Sequence, residues 1–344
     1  MKKIILVIAL LVVSLTQAQN VLIVDNNTSV DTSPSHMFTN FANAQTAAAN
    51  GDIIYIQPSI TAYGNITISK EITVYGIGHT PELNDDRKSY VNNVTIAASN
   101  VKVSGLYVRS GNSGSIATSG SHSNITIENN YVYNYINVHT GITNANIHGN
   151  VINVGLYLNN SVNATVTNNF IKAGVNSLQY FNSTTIFNNN VVVFGSVTTN
   201  SFFYSPIDFV AQNNIFVFTS NFNGTNWQNG GTPTIFNNCL SYSYNGTTIA
   251  PMNGSGNFDN TNPQFVSISG TDPLFNVNND YNIGSGSLGT DGNDIGLYNG
   301  YYDFDMRGYP TLLPYLTEMT ISNNMVPAGA TLNVNLKANA NKTN

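Results

Sequence analysis

Aliphatic and amide positions recur along the middle of the chain at intervals near 20 residues. Set beneath one another, seven segments read Val103-Ser-Gly-Leu106-Tyr-Val108, Ile127-Glu-Asn-Asn130-Tyr-Val132, Ile147-His-Gly-Asn150-Val-Ile152, Val166-Thr-Asn-Asn169-Phe-Ile171, Ile186-Phe-Asn-Asn189-Asn-Val191, Val210-Ala-Gln-Asn213-Asn-Ile215 and Ile235-Phe-Asn-Asn238-Cys-Leu240. Column one is always Val or Ile, column six is Val, Ile or Leu, and column four is Asn in six of the seven rows. Successive fourth positions lie 24, 20, 19, 20, 24 and 25 residues apart, the interval of one coil in a solenoid.

Each column has a physical role in stacked parallel strands. β-Branched residues in columns one and six point inward and stack on their equivalents about 4.8 Å away, closing an apolar core that no single coil closes alone. Gly or Asn in column three suits a sharp bend, because both adopt left-handed backbone angles at low cost. The column-four amides Asn130, Asn150, Asn169, Asn189, Asn213 and Asn238 are predicted to point inward and bond coil to coil as a ladder. An isolated buried amide would cost several kcal/mol, whereas a ladder satisfies each member through its neighbours.

The repeat resembles the right-handed parallel β-helix of the pectin-lyase-like superfamily over roughly residues 37 to 300. Ala47-Ala-Ala-Asn50-Gly51-Asp52-Ile53-Ile54-Tyr55-Ile56 is similar to the end of the capping helix and the first strand of such proteins. Tyr63 to Ile68 and Ile72 to Gly78 look like the first full coils. Asp272-Pro273-Leu274-Phe275, together with Asp291 to Gly296, resembles their closing segment. The resemblance implies an all-β fold, a right-handed single-stranded parallel β-helix of about eleven coils at roughly 22 residues each. An N-terminal helical cap and first strand would occupy 19–56, the coils 57–300, and a short β tail 301–344, expected to cover the open C-terminal edge. Function does not follow, because this scaffold carries lyases, hydrolases, esterases, adhesins and spacers.

Lys2 and Lys3 precede the apolar run Ile4 to Val13 and the small-residue site Thr16-Gln17-Ala18, so residues 1–18 are expected to be a signal peptide and the protein to be exported. The run is too short to span a bilayer as a helix, and no second one follows. Charge then narrows the partners. Only 8% of the 344 residues are ionic, while Asn alone supplies 58. Without Lys2 and Lys3, nine basic residues face 17 acidic ones, a net charge of -8 that cannot neutralise a run of phosphates; a nucleic-acid partner is not expected. The oligomeric state cannot be read. Cys239, the single cysteine, forms no intrachain disulfide.

Catalysis on such a wall would need paired carboxylates, or a cation beside carboxylate-held calcium. Between residues 110 and 258 the ions are Glu128, Lys172 and Asp208, with His122, His139 and His148 beside them, and no two ions fall on adjacent rows. No catalytic residue, metal ligand or cofactor is therefore expected. The group at Glu82 to Lys88 reads as a solvated loop, the group Asp291, Asp294, Asp303, Asp305 and Arg307 lacks the regular carboxylate spacing of a calcium loop, and His148 beside His139 reads as exposed polar filler. Columns two, five and seven instead offer an outward mixture of rings, amides and a few ions: Tyr107, Arg109, Glu128, Tyr131, Tyr133, His148, Phe170 and Lys172. Such a mixture suits a neutral or weakly acidic polysaccharide, stacking sugar faces and bonding hydroxyls. The leading expectation is non-catalytic polysaccharide binding. The alternatives are a divergent polysaccharide lyase or glycoside hydrolase using Arg109, Glu128 or Lys172, or the 82–88 loop, and a structural spacer or adhesin-like surface protein.

Overall fold

The computed structural model describes residues 19–174, 176–196, 202–219, 227–269, 273–287, 289, 295–298, 300, 302, 304–310, 314–321, 329, 331–332 and 334–340. The expected signal peptide lies outside them.

The chain winds as a right-handed parallel β-helix of about nine turns. The middle coils each contribute one strand to each of three parallel sheets, one of twelve strands and two of eight, the twelve-stranded sheet being extended by strands at both ends. We call them faces one, two and three in the order the chain visits them. Face one includes Lys102–Ser104, Ser123–Glu128, Thr143–His148, Thr165–Thr167, Ile186–Asn188, Val210–Gln212 and Ile235–Asn237. Face two includes Tyr107–Val108, Tyr131–Val132, Val151–Ile152, Phe170–Gly174, Val191–Ser196, Ile215–Phe218 and Leu240–Ser243. Face three includes Ile116–Thr118, Tyr135–Asn137, Gly155–Tyr157 and Phe203–Tyr204. A short helix, Phe41–Ala47, sits at the N-terminal end; Asn40 caps it by accepting from the Asn43 amide at 2.9 Å, and Phe41 and Ala44 are buried. Pro314–Ile321 and Val334–Ala340 form an antiparallel sheet of their own.

The ladder exists, but its members change after the fourth row. Asn130, Asn150, Asn169, Asn190 and Asn214 are buried or nearly so, and each passes its amide to the next at 3.0 to 3.1 Å. Cys239 takes the next position, with its Sγ 3.9 Å from Asn214 Nδ2, and Asn257 follows. Asn189, Asn213 and Asn238, expected as rungs, instead hold the bend, at φ of 54°, 54° and 50°. They align with Asn129, Gly149 and Asn168, not with Asn130, Asn150 and Asn169.

The pairing register shows why. Val166 pairs with Phe187, Phe187 with Ala211, and Ala211 with Phe236, so the inward column is Phe-Ala-Phe where Ile186, Val210 and Ile235 were expected. Because side chains alternate between the two faces of a strand, a slip of one residue turns the whole set around. Ile186 is 49% exposed while Phe187 is fully buried. The core changes composition along its length: aliphatic in the early coils, then aromatic, with Phe181, Phe187, Phe203 and Phe209 packed on one another and Phe202, Phe216 and Phe236 meeting Trp227.

The turn count falls short of eleven because the chain leaves the stack near Phe258, after the last paired strand at Gly254–Ser255. The following segment runs back along the flank over the outer surface of face two. Val151, Phe170, Val191, Val193, Ile215, Val217 and Leu240 point outward there, and Phe265, Tyr281, Ile295, Leu297 and Phe304 cover them in a second apolar cluster. Its last part is a strap along the bends. Gly296 N–H donates to Asn213 O at 2.9 Å, Asn168 Nδ2 to Leu297 O at 2.8 Å, Asn129 Nδ2 to Tyr309 O at 3.5 Å and Thr80 N–H to Arg307 O at 3.3 Å. Gly308 adopts φ +64° against the His79 ring, and a Cβ there would strike it.

Candidate functional site

The strap divides the predicted outward residues into two groups. Tyr107, Tyr131, Tyr133 and Arg109 stand together on the early coils of face two, Tyr107 buried and the other three half-buried, where the small-residue bend Ser104-Gly105 and the register Tyr107–Tyr131 bring successive rings into line. Tyr107 and Tyr131 are parallel at 4.7 Å, Tyr90 meets Tyr107 edge-on at 5.9 Å, and the Arg109 guanidinium lies 4.5 Å from the Tyr133 ring centre. Lys88 Nζ is 4.9 Å from the centre of Tyr107. Asn153 Nδ2 donates to the Tyr131 hydroxyl, fixing the ring. Burial, aided by the neighbouring Tyr107 phenol, pushes Tyr131 up to about 12, so its hydroxyl stays protonated.

Beside these rings is a cleft of about 380 Å³, within the range of small-molecule sites. Tyr107 and Tyr131 form one wall and Phe275, Asn276 and Asn278 another, with His79, Thr80 and Glu82 at the end. Two of these partners, His79 and Tyr90, escaped sequence reasoning because they belong to the segment between Gly78 and Val91, outside the aligned repeat, and Lys88 was read there only as part of a solvated loop. The Tyr90–Val91 strand pairing with Tyr107–Val108 is the signal that would have found them.

The remaining candidates are placed elsewhere. Phe170 is no ligand-contacting ring; it is fully buried beneath Phe275 at 5.4 Å and Tyr281 at 4.9 Å. Glu128 and His148 were expected to face solvent, but both are buried on face one. Glu128 does have ionic partners in the adjacent coils. Lys102 Nζ lies 3.0 Å from its Oε1 and His148 Nε2 3.1 Å from its Oε2. The Tyr302 ring then stacks on His148 at 3.6 Å, closing the cluster under the strap. Burial alone would raise the Glu128 carboxyl, but the hydrogen bond from His148 and the Lys102 charge outweigh it and hold the group below the usual glutamate range. A carboxylate so paired is a poor proton donor near neutrality. Lys172 is half-buried on face two, in the column of Val193. The Glu82–Lys88 loop carries an exposed Arg87–Asp85 pair at 3.1 Å. Asp291, Asp294 and Asp303 lie outside the described residues.

Two solved structures align over 76% of this chain and 94% of their own, each at 12% identity. One is a pectin methylesterase mutant in complex with a hexasaccharide, at a TM-score of 0.38, and the other a pectin methylesterase in complex with a second hexasaccharide, at 0.33. No protein-family model matches the chain, and no curated protein is significantly similar to it. No helix among the described residues is long and apolar enough to cross a membrane.

Proposed function

We propose that this protein is exported and binds polysaccharide non-catalytically through the tyrosine cleft of face two. The observation that carries the reading is the parallel Tyr107–Tyr131 pair, held rigid beside Lys88 and Arg109 and forming the wall of a cleft of about 380 Å³. Flat rings stack on the apolar faces of sugars, and immobilised rings lose little entropy when they do so. The two cations and the amides of Asn276 and Asn278 supply donors for hydroxyls or for a sparse set of carboxylates. The one carboxylate in the middle coils with ionic neighbours, Glu128, is sealed and paired, which favours binding over bond cleavage at that position.

The test is equilibrium binding to a panel of plant, algal and bacterial glycans by the wild type and by the double variant Tyr131→Ala, Tyr133→Ala. Loss of about tenfold or more in affinity supports the site. Unchanged affinity removes it. Incubation with uronate polymers, read by ultraviolet absorbance and by reducing ends, would reverse the non-catalytic assignment if product accumulates and Glu128→Gln abolishes it.

A further inference from the structure

We propose that face one carries a second, separate sugar-binding site that takes an uncharged, hydroxyl-rich oligosaccharide. A trough of about 550 Å³ crosses three successive coils between the strap and the opposite edge of the sheet. Its floor is Asn146, Thr165, Thr167 and Asn188, with Ile186 offering an apolar surface 49% exposed, and Tyr302 of the strap forms one wall. The rim is ordered by amides: Asn144 Nδ2 donates to Asn124 Oδ1 at 3.1 Å and Asn163 Nδ2 to Asn144 Oδ1 at 3.2 Å.

Three observations point to the ligand class. Among the described residues no ionic side chain lines the trough, because Glu128 and His148 are engaged with Lys102 and covered by Tyr302. A carboxylate or phosphate would therefore lose its hydration without gaining a counter-charge. Next, Tyr302 is fixed from two sides, stacked on His148 and accepting from Asn146 Nδ2 at 2.9 Å, so the wall is an immobilised ring. Finally, two lining side chains keep buried polar atoms that have no protein partner: Thr167 Oγ1, in a residue only 5% exposed, and Asn146 Oδ1. A hydroxyl that can donate and accept matches both, and satisfying a buried orphan group is worth more than forming an exposed bond.

This inference does not rest on the tyrosine cleft. Titration of the full chain with cellohexaose, mannohexaose and xylohexaose, and with an oligogalacturonate as charged control, tests it. Ile186→Arg fills the trough from an exposed position without touching the core, and Tyr302→Phe removes the hydroxyl while keeping the ring. The expected result is that a neutral hexasaccharide binds, that Ile186→Arg weakens it about tenfold or more, and that the Tyr131→Ala, Tyr133→Ala variant does not. Four outcomes overturn the proposal: no neutral hexasaccharide binds at millimolar concentration, binding is indifferent to Ile186→Arg, binding is lost only in the tyrosine double variant, or the oligogalacturonate binds the trough as tightly as the neutral sugars.

Discussion

Asn150 Oδ1 accepts two hydrogen bonds from Asn130 of the preceding coil, one from its main-chain N–H at 3.0 Å and one from its side-chain Nδ2 at 3.1 Å. Asn150 Nδ2 in turn donates to Ile127 O, His148 O and Asn169 Oδ1. One side chain thus serves the backbone of two coils and the amides of two others.

Removing it should be costly. Asn150→Ala takes the Oδ1 acceptor from the buried Asn130 main-chain N–H and removes one hydrogen bond each from Asn130 Nδ2, Ile127 O, His148 O and Asn169 Oδ1, and is expected to destabilise by about 3–5 kcal/mol. Asn124→Gly, in the exposed ladder and at φ 58°, keeps the backbone angle and should cost about 0.5 kcal/mol or less. Urea unfolding of the two variants compares the rows directly.

The same logic separates the two readings of the fifth row. Asn190 is the rung and Asn189 the bend, and they differ in what they need: an inward amide against a left-handed backbone. Most of the fold was legible because the repeat of aliphatic and amide columns is a packing requirement visible in composition alone. The slip after Asn169 was not, since Asn188-Asn189-Asn190 offers the same residue for three registers and the rule for column one favoured Ile186 over Phe187. The tyrosine pair Tyr107–Tyr131 was legible from strand alternation. Phe170, Glu128 and His148 were misplaced because the segment that covers them is more than 100 residues away in sequence and carries no repeat. Lys102, which pairs with Glu128, precedes the window in which ions were sought.

Glu128→Gln is expected to destabilise the protein by about 3 kcal/mol, since it leaves Lys102 and His148 beside a neutral amide in a largely dry site. The native carboxyl titrates below its unfolded value of about 4.3. Its contribution is therefore fully present above that value and is lost as the pH falls through the lower native one. Thermal unfolding of the wild type and of Glu128→Gln should converge in strong acid.

His79 gives a second, higher window. Burial between the Phe275 and Phe304 rings, opposed only by the Asp305 main chain, lowers its imidazole to about 3. The unfolded chain takes up the proton near pH 6.5 and the native one does not, so stability should fall by about 1.4 kcal/mol per pH unit between those values. In a pH series of urea midpoints, His79→Phe should flatten this slope while leaving the Glu128 effect in place.

The Cys239 thiol is buried in the ladder, and burial pushes it up to about 12, against its hydrogen bonds with Asn214 and Asn237. Because the thiolate is the reactive form, the native protein should resist an aromatic disulfide reagent at pH 8 and react with one equivalent once unfolded in guanidinium. Rapid labelling of the native state would place the side chain outside the stack.

The strap also bears on how the molecule is made. A plain solenoid can settle coil by coil as it leaves the ribosome, each turn needing only the one before it. Here the flank of the middle coils is oily until Phe265 to Phe304 have been synthesised and laid back over it, and Thr80 waits for Arg307. The nascent protein therefore passes through a nearly finished state with an adhesive side, and a chain halted near residue 258 should be captured by chaperones or aggregate although most of its turns are formed.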